Sequence, residues 1–348
     1  MEAQERDSMT SRPKISIVIL NWNGSGFLKR FLPSVVAHSA VIADIVVADN
    51  GSSDDSRILV ETLFPSVIYL QLDQNFGFAA GYNKALQLIQ NEFFVLLNSD
   101  VEVSEGWLDP MLLLMEADST LGAIQPKILS LDRPSEFEYA GAAGGFIDKF
   151  GYPFCRGRIL QEVEKDLGQY NDSLNVSWAS GACMMVRSSV WRECGGFDAD
   201  FWAHMEEIDL CWRMHHLGFS VKFCPESVVF HLGGGTLNYH HPMKIYLNFR
   251  NNLYLLLKNL PLGQLLIILP SRMILDGLAA FTFIFKGEFG AFVKVLAAHL
   301  KFYGQLPLLI KKRRIIVKIA PKELSNLRTS KSILWNYFVL NRRRFSEL

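Results

Sequence analysis

The chain has 348 residues and a mass of 39.4 kDa, the size of one large domain or two ordinary ones. Apolar residues make up 49% and charged residues 20%, which supplies a buried core and excludes a disordered or collagen-like chain. The net charge of zero hides an asymmetry: residues 301–348 carry 12 Lys/Arg against 2 Asp/Glu, so the rest of the chain is net acidic. A basic tail on an acidic body points to a tail that meets an anionic surface. Five cysteines, odd in number and without zinc spacing, fit a reducing compartment. The polar N-terminal residues 1–14 lack an apolar stretch and read as a flexible tail rather than a signal peptide.

The folded part opens with ISIVILNWNG (15–24), whose continuous β-branched run predicts a buried parallel strand. Gly24 and Gly26 end it, and FLKRFLPSVVAH predicts a helix. DIVVADNGSSDDS is a second strand followed by a helix-capping cluster. A weaker strand, VIYLQL (67–72), leads through QNFGFAAGYNKALQLI into a helix, and FFVLLNSD (93–100) is again apolar until its last three residues. Strand and helix alternate, which predicts an α/β domain with a mainly parallel sheet. Ligands of such sheets sit beyond the carboxyl ends of the strands. Asn21, Asp49, Asn75 and Asp100 all fall there. Turns are polar in any case, which accounts for Asn75 better than for carboxylates set directly on apolar strands.

Residues 131–177 predict irregular structure or short strands covering one side of the site. The pattern sharpens at 178–236: strand ACMMV, helix SSVWREC, a Gly-Gly turn, then helix MEEIDLCWRMHHLG with Gly218 as its C-terminal cap, and strand SVVF ending in His231. Glu206, Glu207 and Asp209 place three carboxylates at a helix start. Glu206 and Asp209 share a face with Arg213, and Glu207 points about 100° away. A favourable macrodipole and an Asp209–Arg213 pair would explain them structurally. The preceding Trp202, His204 and Met205 and the glycines of CGGFDADF instead suggest a shaped loop delivering a carboxylate to a pocket, suited to general-base work. Asn98-Ser99-Asp100 ends a strand where Asp100 could hold a hard divalent cation beside diphosphate oxygens. His231, followed by Gly233, Gly234 and Gly235, is a second candidate ligand. His215 and His216 read as surface or packing residues. Neither a phosphate-binding G-x-x-x-x-G-K-[ST] loop nor a dinucleotide G-x-G-x-x-G motif is present.

Beyond residue 240 the chemistry thins and hydrophobicity rises. Residues 264–285 have the length of a membrane span but are interrupted by Pro270, Arg272 and Asp276. Residues 289–314 are amphipathic and end in a basic cluster. Both read as helices lying in a membrane interface; an ordinary helical lobe is the competing reading.

The segments SIVILNWNG, DIVVADNGSSDDS, QNFGFAAGYNKAL, FVLLNSDVEV, SGACMMVRSSVWRECGGFDADFWAHMEEIDLCWRMHHLG and VVFHLGGGT together resemble the family-2 inverting glycosyltransferases, and more narrowly their rhamnosyltransferase-like branch. The resemblance covers residues 15–236. It implies a Rossmann-like GT-A fold over 15–240 binding a nucleotide-diphosphate sugar; the composition beyond it gives a helical, hydrophobic and basic membrane-associating region over 241–348. It implies that Asp49 contacts the nucleotide base and that Asn75, Gly77 and Asn83, with Asn21 and Asn98, line the nucleotide side. The family's D-x-D metal motif appears as Asn98-Ser99-Asp100, so Asp100, alone or with His231, would hold Mg²⁺ or Mn²⁺. The family's E-D-x-D helix appears as Glu206-Glu207-Ile208-Asp209, with Glu207 in the place of the base and Glu206 and Asp209 open as alternatives. The implied reaction is inverting transfer to a glycan or lipid-linked glycan at the cytoplasmic face of a bacterial-type inner membrane, by a peripheral or monotopic enzyme and without nucleic acid. A catalytically silent nucleotide-sugar-binding scaffold and a two-carboxylate glycosidase are the rivals.

Overall fold

The computed structural model describes residues 14–233, 242–319 and 327–348. The proposed tail therefore lies almost wholly outside the described residues, as do Gly234 and Gly235. In chain order the first elements are β1 (Ile15–Asn21), α1 (Ser25–Ser39), β2 (Ala43–Asp49), α2 (Ser56–Leu63), β3 (Ile68–Gln71), α3 (Gly77–Gln87) and β4 (Phe93–Leu97). The strands pair in the order β3-β2-β1-β4, all parallel, with Asn21 level with Asp49 and Asp49 level with Gln71. Alternate residues feed two cores: Ile17, Ile19, Val47 and Val95 on one face, Val18, Ala48, Phe94 and Leu96 on the other. Burial on both faces is why these strands are continuous apolar runs rather than alternating ones.

The chain continues with β5 (Val101–Val103), α4 (Asp109–Ala117), β6 (Leu121–Ser130), β7 (Gly145–Ile147), β8 (Pro153–Cys155), β9 (Arg158–Ile159), β10 (Glu162–Val163), β11 (Leu174–Asn175), β12 (Cys183–Arg187), α5 (Ser188–Glu193), α6 (Glu206–His216) and β13 (Ser220–His231). β12 runs antiparallel between β4 and β6, and β13 pairs parallel with β6 and antiparallel with β5. The segment expected to hold short strands forms β7 to β10, a separate antiparallel sheet. Gly218, at φ +90°, ends α6 as expected: its N–H donates to His215 O and that of Phe219 to Met214 O, both at 3.0 Å, the paired bonds of a Schellman cap. His216 is buried and packs inward. All five cysteines are free.

Among the described residues five α-helices follow: α7 (Pro242–Asn259), α8 (Leu262–Phe285), α9 (Phe289–Gly304), α10 (Leu306–Ile319) and α11 (Ile333–Phe338). The amphipathic 289–314 segment is thus two helices. α7 packs on α6, α9 and α10, so the C-terminal helices lean on the element that carries the three carboxylates. α8 is, among the described residues, the one helix long and apolar enough to cross a bilayer by length and composition. Its charges face inward: Arg272 Nε lies 2.7 Å from Asp276 Oδ1, and the guanidinium sits 3.6 Å from the centroid of the Tyr152 ring. Its large exposed side chains are apolar, among them Ile267, Ile274, Leu278, Phe281 and Phe285. α9 repeats the arrangement with Phe289, Val293, Leu296, Leu300 and Tyr303 exposed. Phe281 and Phe292 approach to 6.4 Å between the two helices.

Candidate active site

The site residues gather beyond the carboxyl ends of the parallel strands. Asp49, last in β2, is fully buried and uses both carboxylate oxygens internally: Asn21 Nδ2 donates to Oδ2 at 3.0 Å, and Ser52 N and Gln71 Nε2 donate to Oδ1 at 2.8 and 3.0 Å. Burial would raise its carboxyl, but bonds from Ser52, Asn21 and Tyr69 outweigh this and hold it below the usual range. Asn21 also donates to Ser56 Oγ at 3.0 Å, leaving its own Oδ1 buried without a partner.

Asn50, which motif reasoning passed over, ties β2 to the 75–77 loop. Its Nδ2 donates to Asn75 Oδ1 and Gly77 O at 3.1 and 3.0 Å, and its Oδ1 accepts from Phe76 N. Gly77 has φ +76°, and a Cβ there would lie 1.8 Å from Trp202 Nε1. Only glycine lets the indole cover this turn. Asn83 holds protein rather than facing the cleft: it donates to Phe197 O and accepts from Phe197 N, both at 2.8 Å.

Antiparallel pairing of β5 with β13 sets His231 opposite Val101. His231 Nε2 lies 3.1 Å from Asp100 Oδ1, and its Nδ1 lies 3.2 Å from Glu138 Oε2, with all three side chains buried. Glu138 arrives from a turn folded back on β6, where its N–H donates to Ile128 O. Nothing in its sequence neighbourhood marks it; only the fold brings it to His231. Burial would lower the imidazole pKa, but the Asp100 and Glu138 bonds outweigh it and raise it to about 10. Among the described residues no three His, Cys, Asp or Glu side chains form a metal cage. Asp100 and His231 face one another as an acid–imidazole pair; to hold a divalent ion, which commonly takes one or two protein ligands plus phosphate oxygens, the imidazole would have to give up the proton that Asp100 and Glu138 favour on it. Glu138 Oε2, 3.2 Å from the far ring nitrogen, is a second carboxylate set against the imidazole.

The three carboxylates of α6 are sorted by their surroundings. Asp209 is fully buried and paired, with Arg213 Nε at 2.8 Å, Lys258 Nζ at 2.8 Å and Asn259 Nδ2 at 2.9 Å. Burial would raise its carboxyl, but Lys258 and Arg213 outweigh that and hold it low. Glu206 is pushed well above the ordinary range by burial and by the neighbouring Glu207. Burial pushes Glu207 up to about 7. Glu206 and Glu207 each keep one buried carboxylate oxygen, Oε2, without a hydrogen-bond partner. The Cβ and Cγ of Glu207 pack beside Gly181. On the other side of that segment, Asn98 N donates to Ala182 O at 3.0 Å. The 98–100 turn and the Glu207 side chain therefore both meet the Gly181–Ala182 backbone.

A mixed α/β sheet, parallel through β3-β2-β1-β4 and closed by the antiparallel β12, is the GT-A nucleotide-sugar transferase fold. The profile of glycosyl transferase family 2 matches residues 16–195, just over half of the chain, and the protein belongs to that family. Among curated relatives, the N-acetylglucosaminyl-diphospho-decaprenol L-rhamnosyltransferase of Mycobacterium tuberculosis is 24% identical over 231 residues, covering 62% of this chain and 75% of the relative. A mannosyltransferase of Pyrobaculum calidifontis, solved with GDP-Man and Mn²⁺, superposes with a TM-score of 0.51 at 14% identity over 91% of this chain and 88% of its own. GalNAc-T7, solved with UDP, GalNAc and Mn²⁺, gives a TM-score of 0.51 at 19% identity; the match covers 62% of this chain and 42% of the GalNAc-T7 chain. At these identities the solved structures speak for the fold.

Proposed function

We propose that this glycosyltransferase moves a sugar, with inversion, from a nucleotide-diphosphate donor to a lipid-linked glycan, using Glu207 as general base. The observation that carries this reading is the contrast within one helical turn: Asp209 is neutralised by Lys258 and Arg213, while Glu207 keeps an unpartnered oxygen and a carboxyl raised to about 7. A base with a pKa near the working pH is the most effective kind. Glu207 takes the proton of an acceptor hydroxyl as that oxygen bonds to the anomeric carbon. The carbon–oxygen bond to the diphosphate breaks on the opposite face, and the nucleoside diphosphate leaves with the electron pair. Asp100 and His231 would hold Mg²⁺ or Mn²⁺, which when bound neutralises charge on the departing diphosphate. Glu138 orients His231 for that task.

The rhamnosyl group named in the mycobacterial relative supports a rhamnose donor, here taken as dTDP-rhamnose, and its decaprenol supports a lipid-linked acceptor. The apolar stripes of α8 and α9 support the membrane reading. Their inward faces are already filled by the Arg272–Asp276 pair, Val295, Ala298 and Phe302, so the outward faces are free to lie in a bilayer interface. The exposed Lys286, Lys301, Lys311, Arg314 and Lys318 border them and suit an anionic leaflet. Free cysteines fit the cytoplasmic side.

The test is a thermal-shift screen of nucleotide sugars with and without Mn²⁺, because a ligand of the native state raises the melting temperature, followed by measurement of nucleoside-diphosphate release. Metal-dependent binding with turnover supports the transferase. Binding without turnover supports a silent nucleotide-sugar-binding subunit, and no nucleotide dependence overturns both.

A further inference from the structure

We propose that Arg250 and Asn251 of α7 are positioning residues for the reaction: they clamp residues 200–205 in a strained conformation that aims the base. The proposal rests on the reading of Glu207 as base, and it places part of the working site in a helix beyond the family-matched segment. Between Phe197 and α6 the backbone does something unusual. Trp202 has φ 64° and ψ −58°, and Ala203 N donates to Phe201 O at 2.8 Å. That is a γ-turn of the rare, strained hand. His204 and Met205 follow at φ 69° and 71°. Three non-glycine residues in such conformations within four positions persist only where their surroundings over-determine them.

The surroundings are one amide and one guanidinium. Asn251 Nδ2 faces Phe201 O, Ala203 O and His204 O at 3.0, 2.9 and 2.7 Å. Arg250 Nη2 donates to Asp200 O and Phe201 O at 3.0 and 2.9 Å. Arg250 Nε donates to Asn251 Oδ1 at 2.9 Å, which fixes the amide with its NH₂ toward the carbonyls. Both side chains are buried. Converging carbonyl dipoles repel one another, and a cation with an NH₂ at their focus turns that repulsion into attraction.

The clamped segment faces both halves of the site. Trp202 O accepts from Phe78 N and Ala79 N, both at 3.1 Å, so it anchors the first turn of α3 on the donor side. At its other end it delivers Glu206 and Glu207 with their unpartnered oxygens. The body of α6 is held separately, through Asp209 with Lys258 and Asn259. Loosening the clamp therefore releases the aim of the base while leaving the fold anchored.

The test uses the full-length chain with Asn251→Ala and, as a gentler variant that keeps the charge, Arg250→Lys. Hydrogen exchange should quicken in residues 200–207 and stay unchanged in β1, β2 and β4. Affinity for UDP and dTDP with Mn²⁺ should fall no more than severalfold, because Asn50 holds the 75–77 loop independently of Trp202. Nucleoside-diphosphate release, tried first with dTDP-rhamnose and then with the donor found by the binding screen, should fall about 10²-fold in Asn251→Ala, the cost of misplacing a reacting group by about 1 Å. It should fall less in Arg250→Lys. The acid limb of the pH–rate profile should move to lower pH as the carboxylate becomes hydrated. Unchanged exchange at 200–207 in both variants overturns the proposal whatever the donor. Parallel losses of nucleotide affinity, melting temperature and rate overturn it in favour of a purely structural role. If Glu207→Gln abolishes turnover and the clamp variants do not, the clamp fails alone; if Glu207→Gln turns over normally, the assignment of the base fails instead.

Discussion

Lys258 Nζ and Asp209 Oδ1 lie 2.8 Å apart with both side chains almost wholly excluded from solvent. The pair joins α7 to α6, and Lys258 also reaches Asp198 Oδ2 at 2.5 Å. Lys312 of α10 bonds Asp200 at 2.6 Å. Part of the basic C-terminal region is therefore spent neutralising acidic residues around the start of α6 rather than facing outward.

Asp209→Asn leaves Lys258 and Arg213 short of a buried counter-charge. Removing one member of such a pair costs about 3–5 kcal/mol, which chemical denaturation should detect as a lowered midpoint. Nucleotide affinity of the folded fraction should be preserved.

Glu207→Gln keeps size and hydrogen bonding but cannot take a proton. Transfer should fall about 10²–10⁴-fold with donor affinity nearly unchanged. In the parent, the rate should rise with pH and level off above about 7, where the carboxylate is ionised. The stability effect has the opposite sign. A carboxyl raised in the folded state binds protons the unfolded chain has released, so its stabilisation is lost as pH climbs from the ordinary carboxylate range through 7. Glu207→Gln should melt above the parent at pH 8, and the gap should shrink below pH 5.

Asp100→Ala should remove most Mn²⁺-dependent donor binding, and His231→Ala should weaken it less. Glu138→Ala should lower Mn²⁺ affinity by about 10–100-fold, the usual cost of losing the partner of a ligating histidine. Calorimetric Mn²⁺ titration in the presence of dTDP measures all three. Unchanged metal affinity in Asp100→Ala would move the ion elsewhere.

Leu278→Asp with Phe281→Asp places charge on the outward stripe of α8 without touching the inward Arg272–Asp276 pair. Flotation with vesicles containing anionic lipid should fall sharply in this variant, and salt should partly release the parent by screening the basic rim. A parent chain that does not float with such vesicles defeats the membrane reading.

The alternation of apolar runs with glycine-rich turns determined the α/β class, because strands buried on both faces must be apolar throughout. Local spacing determined the cap at Gly218, the Asp209–Arg213 pair and the carboxylate cluster at the start of α6, since all three depend on residues a turn apart. What separates those carboxylates is not local. Glu207 and Asp209 differ because Lys258 and Asn259, about fifty residues downstream, reach one and not the other. Glu138 stands beside His231 only because a turn folds back on β6. Arg250 and Asn251 look like ordinary positions in an amphipathic helix until α7 is laid against the 200–205 carbonyls. Periodicity shows which face of a helix is buried, but it does not show what that face meets. Burial, pairing and strain arise from that meeting, and only the tertiary structure decides it.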